Sequence, residues 1–405
     1  MRDAAARRVL VIGGSMSGLF AAILLRRAGC EVDIFERADT ELTGRGAGIV
    51  THAAMRAVLR DAGCDPGRDL GVDVAGRRTL DRSGHPVGDF ACPQTLTSWD
   101  RVFRMLRERF PATRYHLGKE LRRIDPRPDG VTAQFADGSE ARGDLIVGAD
   151  GFRSTVRAQV LPQVRPVYAG YVAWRGLVDE AALTRKTHAD IFDAMVFALP
   201  PGEQFISYPI AGPDNDLTPG HRRCNFVWYR PAREETELRR LLSDADGHFH
   251  ELGIPPPLVR AEVIGSLRDA SRALLAPQLD EVVQLTPQPF LQPIFDVESA
   301  AMASGRAAII GDAAFLARPH VAAGVTKAAE DATALAAAMG AHEGVPDALA
   351  AFERARLVPN RRIMQRGRDL GSYLRPDFAS PAELEAAERH HTPEAVMREI
   401  AVLDF

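Results

Sequence analysis

This chain of 405 residues has few cysteines and a small net charge. The four cysteines, none of which pair at a metal or redox spacing, are too few for a disulfide scaffold. They predict reduced thiols and a cytoplasmic location. The formal net charge of −4 argues against a nucleic-acid partner, because phosphate neutralisation needs a basic face. No H-E-x-x-H motif or His/Cys cluster is present, so no metal site is expected.

Long hydrophobic runs are also missing. The apolar run near the N-terminus, Leu19 to Leu25, ends at Arg26 and Arg27 and is too short to cross a bilayer. The same region has no small-residue cleavage site of the kind a signal peptide needs. We therefore expect no membrane partner and no secretory signal. A homodimer is kept as an expectation.

A glycine-rich turn follows the first predicted strand, residues 9–12. Its sequence is Gly13-Gly14-Ser15-Met16-Ser17-Gly18, which fits G-x-G-x-x-G with Ser15 in the second glycine position. The amides at the start of the next helix favour a phosphate. Glu36 ends the second strand, 18 residues after Gly18, where a carboxylate can accept from ribose hydroxyls. Together these features predict dinucleotide binding; the glycines alone predict only a tight turn.

Two further turns place an aspartate directly after a buried strand. Asp150 lies in Gly148-Ala149-Asp150-Gly151, and a helix is predicted to begin near Ser154. Asp312 follows the strand at 307–311, at the sheet edge where open α/β folds bind ligands. A helix is predicted from Gly324 to Met339. In both turns the alternative is an aspartate that only caps a turn.

In this order the three motifs resemble the class A flavoprotein monooxygenases, which share the para-hydroxybenzoate hydroxylase fold. The resemblance spans roughly residues 8 to 365 and includes the segments 168–176, 208–210 and 318–324. It implies non-covalent FAD, with NAD(P)H as a transient co-substrate. It also implies hydroxylation by O2, through a flavin C4a-hydroperoxide, of an electron-rich aromatic or hydroxypyridine-like substrate. In such enzymes the cofactor supplies the difficult chemistry and the protein supplies positioning.

The motifs and the resemblance together assign a set of cofactor-binding residues. Glu36 would hold the adenosine ribose, Leu121 would lie beside the adenine, and Asp312 would bind the ribityl chain. Trp99 stands where many family members carry a flavin-contacting arginine, and Phe315 stands where many carry histidine. The full set is Gly13, Gly14, Ser15, Met16, Ser17, Gly18, Glu36, Arg37, Arg45, Gly48, Trp99, Leu121, Asp150, Gly311, Asp312, Pro319, Ala323, Gly324 and Val325.

A substrate pocket is expected from aromatic and polar residues that alternate along the predicted strands. The candidates are Tyr171, Trp174, Tyr208, Asn225 and Trp228. For Trp174 and Trp228 the alternative is an aromatic sheet core. Arg175 reads as a surface or ion-paired arginine rather than a substrate clamp.

Catalytic roles are predicted for His320, Tyr208 and Pro319. His320 is a candidate base for deprotonating the substrate, because an imidazole titrates near neutral pH. Tyr208 would relay the proton or orient the ring. The alternative is a histidine that only hydrogen-bonds the flavin loop.

The expected fold class is α/β: a Rossmann-type FAD-binding domain with an inserted antiparallel β-sheet substrate domain and C-terminal helices. The predicted segments are 1–75 (FAD-binding), 76–97 (β segment of the substrate domain), 98–165 (FAD-binding), 166–285 (β-rich substrate domain), 286–345 (FAD-binding) and 346–405 (C-terminal helices).

Two other functions fit parts of the same pattern. One is an FAD-dependent reductase or dehydrogenase that never activates oxygen, and the other is a non-catalytic flavin redox sensor. The chain has no separate output region, which disfavours the sensor. It also lacks a second glycine motif, a C-x4-C pair and W-x-W-x-I-P, which disfavours disulfide reductases and flavin halogenases.

Overall fold

One layer of the protein is a mainly parallel sheet of six strands. The computed structural model describes residues 6–42 and 48–403 of the chain. The central strand is a run of buried apolar residues and pairs in parallel on both sides, as such runs favour. Only the outermost pair is antiparallel. In spatial order the strands are Ala303–Ser304, Ala307–Ile309, Leu145–Gly148, Arg8–Ile12, Glu31–Phe35 and Tyr115–His116.

A second sheet of nine strands is antiparallel throughout, apart from one parallel pair between 194–198 and 72–80. Its long central strands bring distant parts of the chain together. In spatial order the strands are Phe315–Leu316, Phe290–Glu298, Val167–Asp179, Arg223–Pro231, Gln204–Ile210, Ala194–Ala198, Val72–Leu80, Pro86–Ser98 and Gly48–Val50. A third, small sheet contains Leu121–Arg127, Gly130–Phe135 and Glu140–Gly143.

Both faces of the nine-stranded sheet are buried. On one face, Trp174 and Trp228 pack into a core with Val263 and Val282, which belong to two helices. Because successive side chains of a strand point to opposite faces, the neighbouring Tyr229 lies in a different cluster on the other face. That second face covers the larger cavity described below.

Helices fill the remaining layers. The apolar helix that follows the glycine turn is buried along most of its length and packs against the alanine-rich helix Gly324–Ala341. The α-helices are Met16–Arg27, Ala53–Asp61, Trp99–Arg107, Thr155–Val160, Arg185–Ile191, Arg239–Leu241, Ala261–Leu274, Pro277–Leu285, Gly324–Ala341, Val345–Leu370, Pro381–Glu388 and Pro393–Glu399.

The predicted fold class is confirmed, and the strands show where its segments interleave. Several parts of the predicted FAD-binding segments belong to the nine-stranded sheet instead. Phe290–Glu298 pairs with Val167–Asp179 and with Phe315–Leu316, Gly48–Val50 pairs with Pro86–Ser98, and the strand Val72–Leu80 begins within the predicted segment 1–75. The segment predicted as β-rich also contains the helices Ala261–Leu274 and Pro277–Leu285. These helices cover the tryptophan face of the sheet, which would otherwise be exposed.

Within the described ranges, no helix is long and apolar enough to cross a bilayer. All four cysteines are unpaired, and Cys30, Cys64 and Cys224 are buried. Burial raises the pKa of the Cys224 thiol to about 12, so this thiol is inert at neutral pH.

Candidate active site

Two adjoining cavities lie where the two large sheets meet. The smaller has a volume of about 290 Å³ and is lined by the glycine turn and the ends of the parallel strands. The larger has a volume of about 590 Å³ and is lined mostly by the nine-stranded sheet and by residues 316–325. Arg153 and Asp312 line both cavities, so together they form one elongated site.

The glycine turn is shaped by close backbone contacts. Gly13 has a φ of +102°, which favours glycine. A Cβ on Gly18 would lie 1.9 Å from the Gly13 carbonyl oxygen, so the helix can approach the strand only with glycine there. The Gly14 amide donates to Glu36 Oε2 at 2.7 Å, and the Ala38 amide donates to Glu36 Oε1 at 2.9 Å. The carboxylate of Glu36 is therefore fixed in orientation at the rim of the smaller cavity.

This arrangement fits the ADP half of FAD. Amides at the start of a buried helix suit a pyrophosphate, and a fixed carboxylate suits ribose hydroxyls. The predicted cofactor residues that line the smaller cavity are Gly13, Ser15, Ser17, Glu36, Arg37, Trp99, Leu121, Asp150 and Asp312. Those that line the larger cavity are Gly48, Asp312, Pro319, Ala323, Gly324 and Val325.

Three of the other predicted cofactor residues support the turns instead of lining a cavity. Gly14 packs so closely that a Cβ would lie 2.2 Å from the Tyr115 hydroxyl, and Met16 is buried in the core. Gly311 has a φ of +58°, and a Cβ there would lie 2.3 Å from Ser17 Oγ. Arg45 lies outside the described residues.

Asp150 caps the helix that follows it. Its Oδ1 accepts from Ser154 Oγ at 2.5 Å, and its Oδ2 accepts from the Thr155 amide at 2.7 Å. Burial raises the pKa of this carboxyl. The capping alternative therefore describes the contacts of Asp150, although the residue also lines the smaller cavity.

Asp312 lies at the junction of the two cavities, in the short 3-10 turn Gly311–Ala313 that follows the strand Ala307–Ile309. Burial raises the pKa of its carboxyl, and the nearby Lys327 ammonium opposes that rise. Lys327 is buried behind the site, with its Nζ 3.6 Å from Asp331 Oδ2. Asp331 also accepts hydrogen bonds from Arg356 at 2.8 Å and from Asn360 at 2.9 Å. Sequence reasoning did not assign this buried charge cluster any role.

Tyrosines form the polar tips of the larger cavity. Tyr208 and Tyr229 both line it, together with the apolar Ile206 and Val227. A Cβ on Gly48 would lie 2.4 Å from the Tyr208 ring, so this glycine leaves room for the tyrosine. Burial raises the pKa of both tyrosines, that of Tyr229 to about 12, so their hydroxyls are protonated at neutral pH.

Two of the predicted substrate residues lie just behind this wall. Asn225 is buried, and its Oδ1 accepts from the Gly48 amide at 3.3 Å. Tyr171 is buried and its hydroxyl is hydrogen-bonded to His320. Neither residue is part of the lining of the larger cavity.

The expectation that Trp174 and Trp228 line the substrate pocket is corrected by the structure. The two residues are cross-strand partners on the face of the sheet away from the cavity. Trp228 lies edge-on to Phe205, at a centroid distance of 6.0 Å. Both tryptophans therefore belong to the aromatic sheet core, which was the alternative interpretation.

His320 lines the larger cavity but is hydrogen-bonded at both ring nitrogens. Nδ1 lies 3.2 Å from Gln204 Oε1, and Nε2 lies 2.9 Å from the Tyr171 hydroxyl. Because the Gln204 oxygen can only accept, Nδ1 carries the proton and Nε2 accepts from Tyr171. Burial, together with the cations of Arg318 and Arg175, lowers the pKa of His320 to about 3. This geometry favours the alternative in which His320 is a neutral, structural residue.

Several residues of the larger cavity were not predicted to bind substrate. Arg175 lines the cavity, as do Ile400 and Ala401 from the far end of the chain. Arg318 also lines it, and its guanidinium binds Asp296 in a bidentate manner at 3.1 and 3.0 Å. The bare sequence gives no signal for Ile400 and Ala401, since only tertiary contacts bring them here.

The C-terminal segment, residues 397–401, is held against this cavity by hydrogen bonds. The Ala401 amide donates to the His320 carbonyl oxygen at 2.8 Å. Arg77 is buried and donates to the carbonyl oxygens of Met397 at 2.9 Å and Ile400 at 2.6 Å. The segment therefore forms one wall of the larger cavity.

Comparison with known proteins agrees with this site. Residues 11–59 match the family described as an NAD(P)-binding Rossmann-like domain, and residues 168–296 match the family described as FAD binding domain-like. The 2,6-dihydroxypyridine 3-monooxygenase of Paenarthrobacter nicotinovorans is 31% identical over 91% of this chain and 91% of its own. The 3-amino-4-hydroxybenzoate 2-monooxygenase of Streptomyces cremeus is 30% identical over 94% of this chain and 90% of its own.

The solved structures give the same result. The 2,6-dihydroxypyridine-3-hydroxylase from Arthrobacter nicotinovorans superposes with a TM-score of 0.86 at 30% identity, over 93% of this chain and 96% of that chain. The chain belongs to the class A flavoprotein monooxygenases and is an FAD-dependent enzyme of that family. The predicted resemblance and the predicted FAD cofactor are thereby confirmed.

Proposed function

We propose that this monooxygenase hydroxylates a small hydroxypyridine-like ring, with NAD(P)H as reductant and O2 as oxidant. The observation that carries the proposal is the larger cavity, which has apolar walls and tyrosine tips and adjoins the cofactor cleft at Asp312. A volume of about 590 Å³ is ample for one planar ring beside a flavin. The similarity to a dihydroxypyridine monooxygenase over 91% of the chain supports this substrate class.

Different residues along the elongated site would bind different parts of FAD. Glu36 and the glycine turn would hold the ADP half of FAD, Asp312 the ribityl chain, and Pro319, Ala323, Gly324 and Val325 the ring. Bound FAD would supply the redox chemistry, in which NAD(P)H provides two electrons, one oxygen atom of O2 enters the substrate and the other leaves as water. Because a single glycine motif is present and FAD fits it, NAD(P)H would bind transiently in the same cleft.

The protein itself would position the substrate and exclude water. The Tyr208 and Tyr229 hydroxyls, which stay protonated, would donate hydrogen bonds to a ring oxygen or nitrogen of the substrate. The apolar residues Ile206 and Val227 would pack against the ring. A dry pocket strengthens these polar contacts and protects the reactive oxygen species from water.

Turnover under labelled oxygen tests the proposal. Purified holoenzyme is incubated with NAD(P)H, labelled O2 and a panel of hydroxypyridines and phenols, and the products are analysed by mass spectrometry. We expect label in the product of a hydroxypyridine. The matched control is the same ring with its hydroxyl replaced by hydrogen, which should give little product. Substrate-dependent NAD(P)H oxidation without labelled product would favour a reductase instead.

Two further proposals concern the whole protein. We propose a cytoplasmic location on the basis of the four unpaired cysteines, because such thiols persist in a reducing compartment. We also propose a homodimer, and light scattering of the purified holoenzyme measures that assembly.

A further inference from the structure

An arginine without an acidic partner faces the larger cavity. Arg175 lies in the strand Val167–Asp179, opposite Val227, and both residues line the cavity. Among the described residues, no carboxylate lies within ion-pairing distance of Arg175. Its Nε is buried and has no hydrogen-bond partner. The side chain is only partly exposed, so its charge is partly withdrawn from water, which is unfavourable unless an anion compensates for it.

The other charged groups around the cavity do not supply that anion. Asp312 is the one carboxylate among the described lining residues, and it lies at the junction with the nucleotide cavity. Arg318 also lines the cavity, but Asp296 already neutralises it through two hydrogen bonds. Arg153 is a further cation, stacked 5.3 Å from the ring centroid of Phe152. The cavity therefore has an excess of positive charge.

The position of Arg175 places its charge among the polar tips of the cavity. Burial raises the pKa of Tyr208 and Tyr229 and the positive charge of Arg175 opposes that rise, whereas for His320 burial and the same charge both lower the pKa. Near pH 7 the two tyrosines therefore stay protonated and His320 stays unprotonated, so all three groups are neutral. None of them can offer negative charge to the arginine, whereas a bound substrate can.

We propose that Arg175 determines specificity by binding the anionic form of the substrate. This inference rests on the proposed function and deepens it, because it assigns the substrate class: a planar aromatic ring that carries one negative charge on a ring oxygen or a carboxylate. A planar guanidinium suits both groups, since it donates two parallel hydrogen bonds. The anion would then be selected by a fixed cation, without a base in the wall of the cavity.

Ligand binding to the oxidised holoenzyme without oxygen or NAD(P)H tests this role. Two pairs of probes are titrated and followed by the change in flavin absorbance: benzoate against benzamide, and 4-nitrophenolate against 4-nitroanisole. We expect wild type to bind at least one anion more tightly than its neutral partner. Arg175→Met should weaken that anion by about 10- to 100-fold and leave the neutral probe unchanged. The pair that responds identifies the charged group as carboxylate or ring oxygen.

Two further variants separate charge from structure. Arg175→Lys should restore part of the preference, because it keeps the charge but not the paired donors. Arg230→Met is the matched control: Arg230 lies on the adjacent strand, pairs with Glu203 at 2.9 Å and stacks over Trp228 on the far face of the sheet. This variant should retain the wild-type preference.

The bound probe provides a second readout. The pKa of 4-nitrophenol in the complex, read from its absorbance, should be lower in wild type than in Arg175→Met by about one unit. Equal binding of anions and neutral probes by wild type, or an equal loss of both in Arg175→Met, would overturn the inference. A loss of FAD affinity in that variant would also overturn it, since Arg175 would then serve the cofactor. These measurements need no turnover, so their failure is distinguishable from absent hydroxylation.

Discussion

At the scale of single residues, the Glu36 carboxylate has the most direct test. It orients the glycine turn through the Gly14 amide and faces the nucleotide cavity. We expect Glu36→Ala to weaken FAD binding by about 1–3 kcal/mol, because ribose hydroxyls and the Gly14 amide lose a charged acceptor. Titration of the apoprotein with FAD measures this. Glu31→Ala, at the exposed start of the same strand, is the control, and equal affinity in both variants would contradict the ribose assignment.

His320 has a measurable effect on the pH dependence of stability. Its pKa is about 3 in the folded protein and about 6.5 when unfolded. Below pH 6.5 the unfolded chain binds a proton that the folded chain does not, so stability falls as the pH drops from 6.5 towards 3. The contribution is on the order of 1 kcal/mol for each pH unit. We expect His320→Asn to flatten this acid limb in urea unfolding curves measured between pH 5 and 7.5.

The same variant distinguishes a structural histidine from a base. His85→Asn, on an exposed turn, is the control for the stability measurement. If His320 were the base, the hydroxylation step in single turnovers would fall by roughly 10²-fold in His320→Asn. A neutral, doubly hydrogen-bonded imidazole instead predicts an unchanged shape of the rate profile against pH. A large loss of rate with that shape altered would return His320 to the catalytic role.

At the scale of elements, neighbouring residues of one strand should behave differently. Trp228 and Tyr229 point to opposite faces of Arg223–Pro231. We expect Trp228→Phe to lower the free energy of unfolding by about 1–3 kcal/mol while the KM for substrate stays unchanged. Tyr229→Phe should change KM or hydroxylation with a smaller effect on stability. A raised KM in Trp228→Phe at normal stability would contradict the assignment of faces.

This element also shows where prediction from sequence reaches its limit. The parallel strands and the glycine turn were predictable, because continuous apolar runs and fixed glycine spacing each specify one local structure. Which side chains of Arg223–Pro231 point into the cavity was not predictable. Both faces of this strand are buried, so the order of apolar and polar residues along it does not distinguish one face from the other. For the same reason Trp174 and Trp228 were indistinguishable from residues that line the cavity. Arg175 was predicted to be a surface or ion-paired arginine, because the lack of a partner in the cavity wall is visible only in three dimensions.

At the scale of the whole molecule, Arg77 connects the β-sheet to the C-terminal segment that walls the cavity. We expect Arg77→Met to loosen that segment, because the carbonyl oxygens of Met397 and Ile400 lose their donor. Water would then reach the cavity, and the amount of hydrogen peroxide formed per NAD(P)H oxidised should rise several-fold. Peroxide assays alongside product analysis measure this coupling.

A matched variant and a local probe make this test specific. Arg78→Met removes the adjacent arginine, which contacts Asp89, Asp193 and the Asp190 carbonyl oxygen. That variant should stay coupled. Hydrogen exchange at the Ala401 amide, which donates to the His320 carbonyl oxygen, should accelerate in Arg77→Met only. Slow exchange combined with increased peroxide would show that the leak arises elsewhere.

The interleaved order of the two large sheets also has a consequence for how the chain folds. The strand Leu145–Gly148 pairs with Ala307–Ile309, although residues 149–306 lie between them. Closing so long a loop costs entropy before its contacts form, so this edge of the parallel sheet assembles late. The strands 8–12 and 31–35 and their helix need only local contacts. A refolding chain should thus recognise the adenosine end of the cofactor first, and retain the flavin only after Asp312 has reached its place.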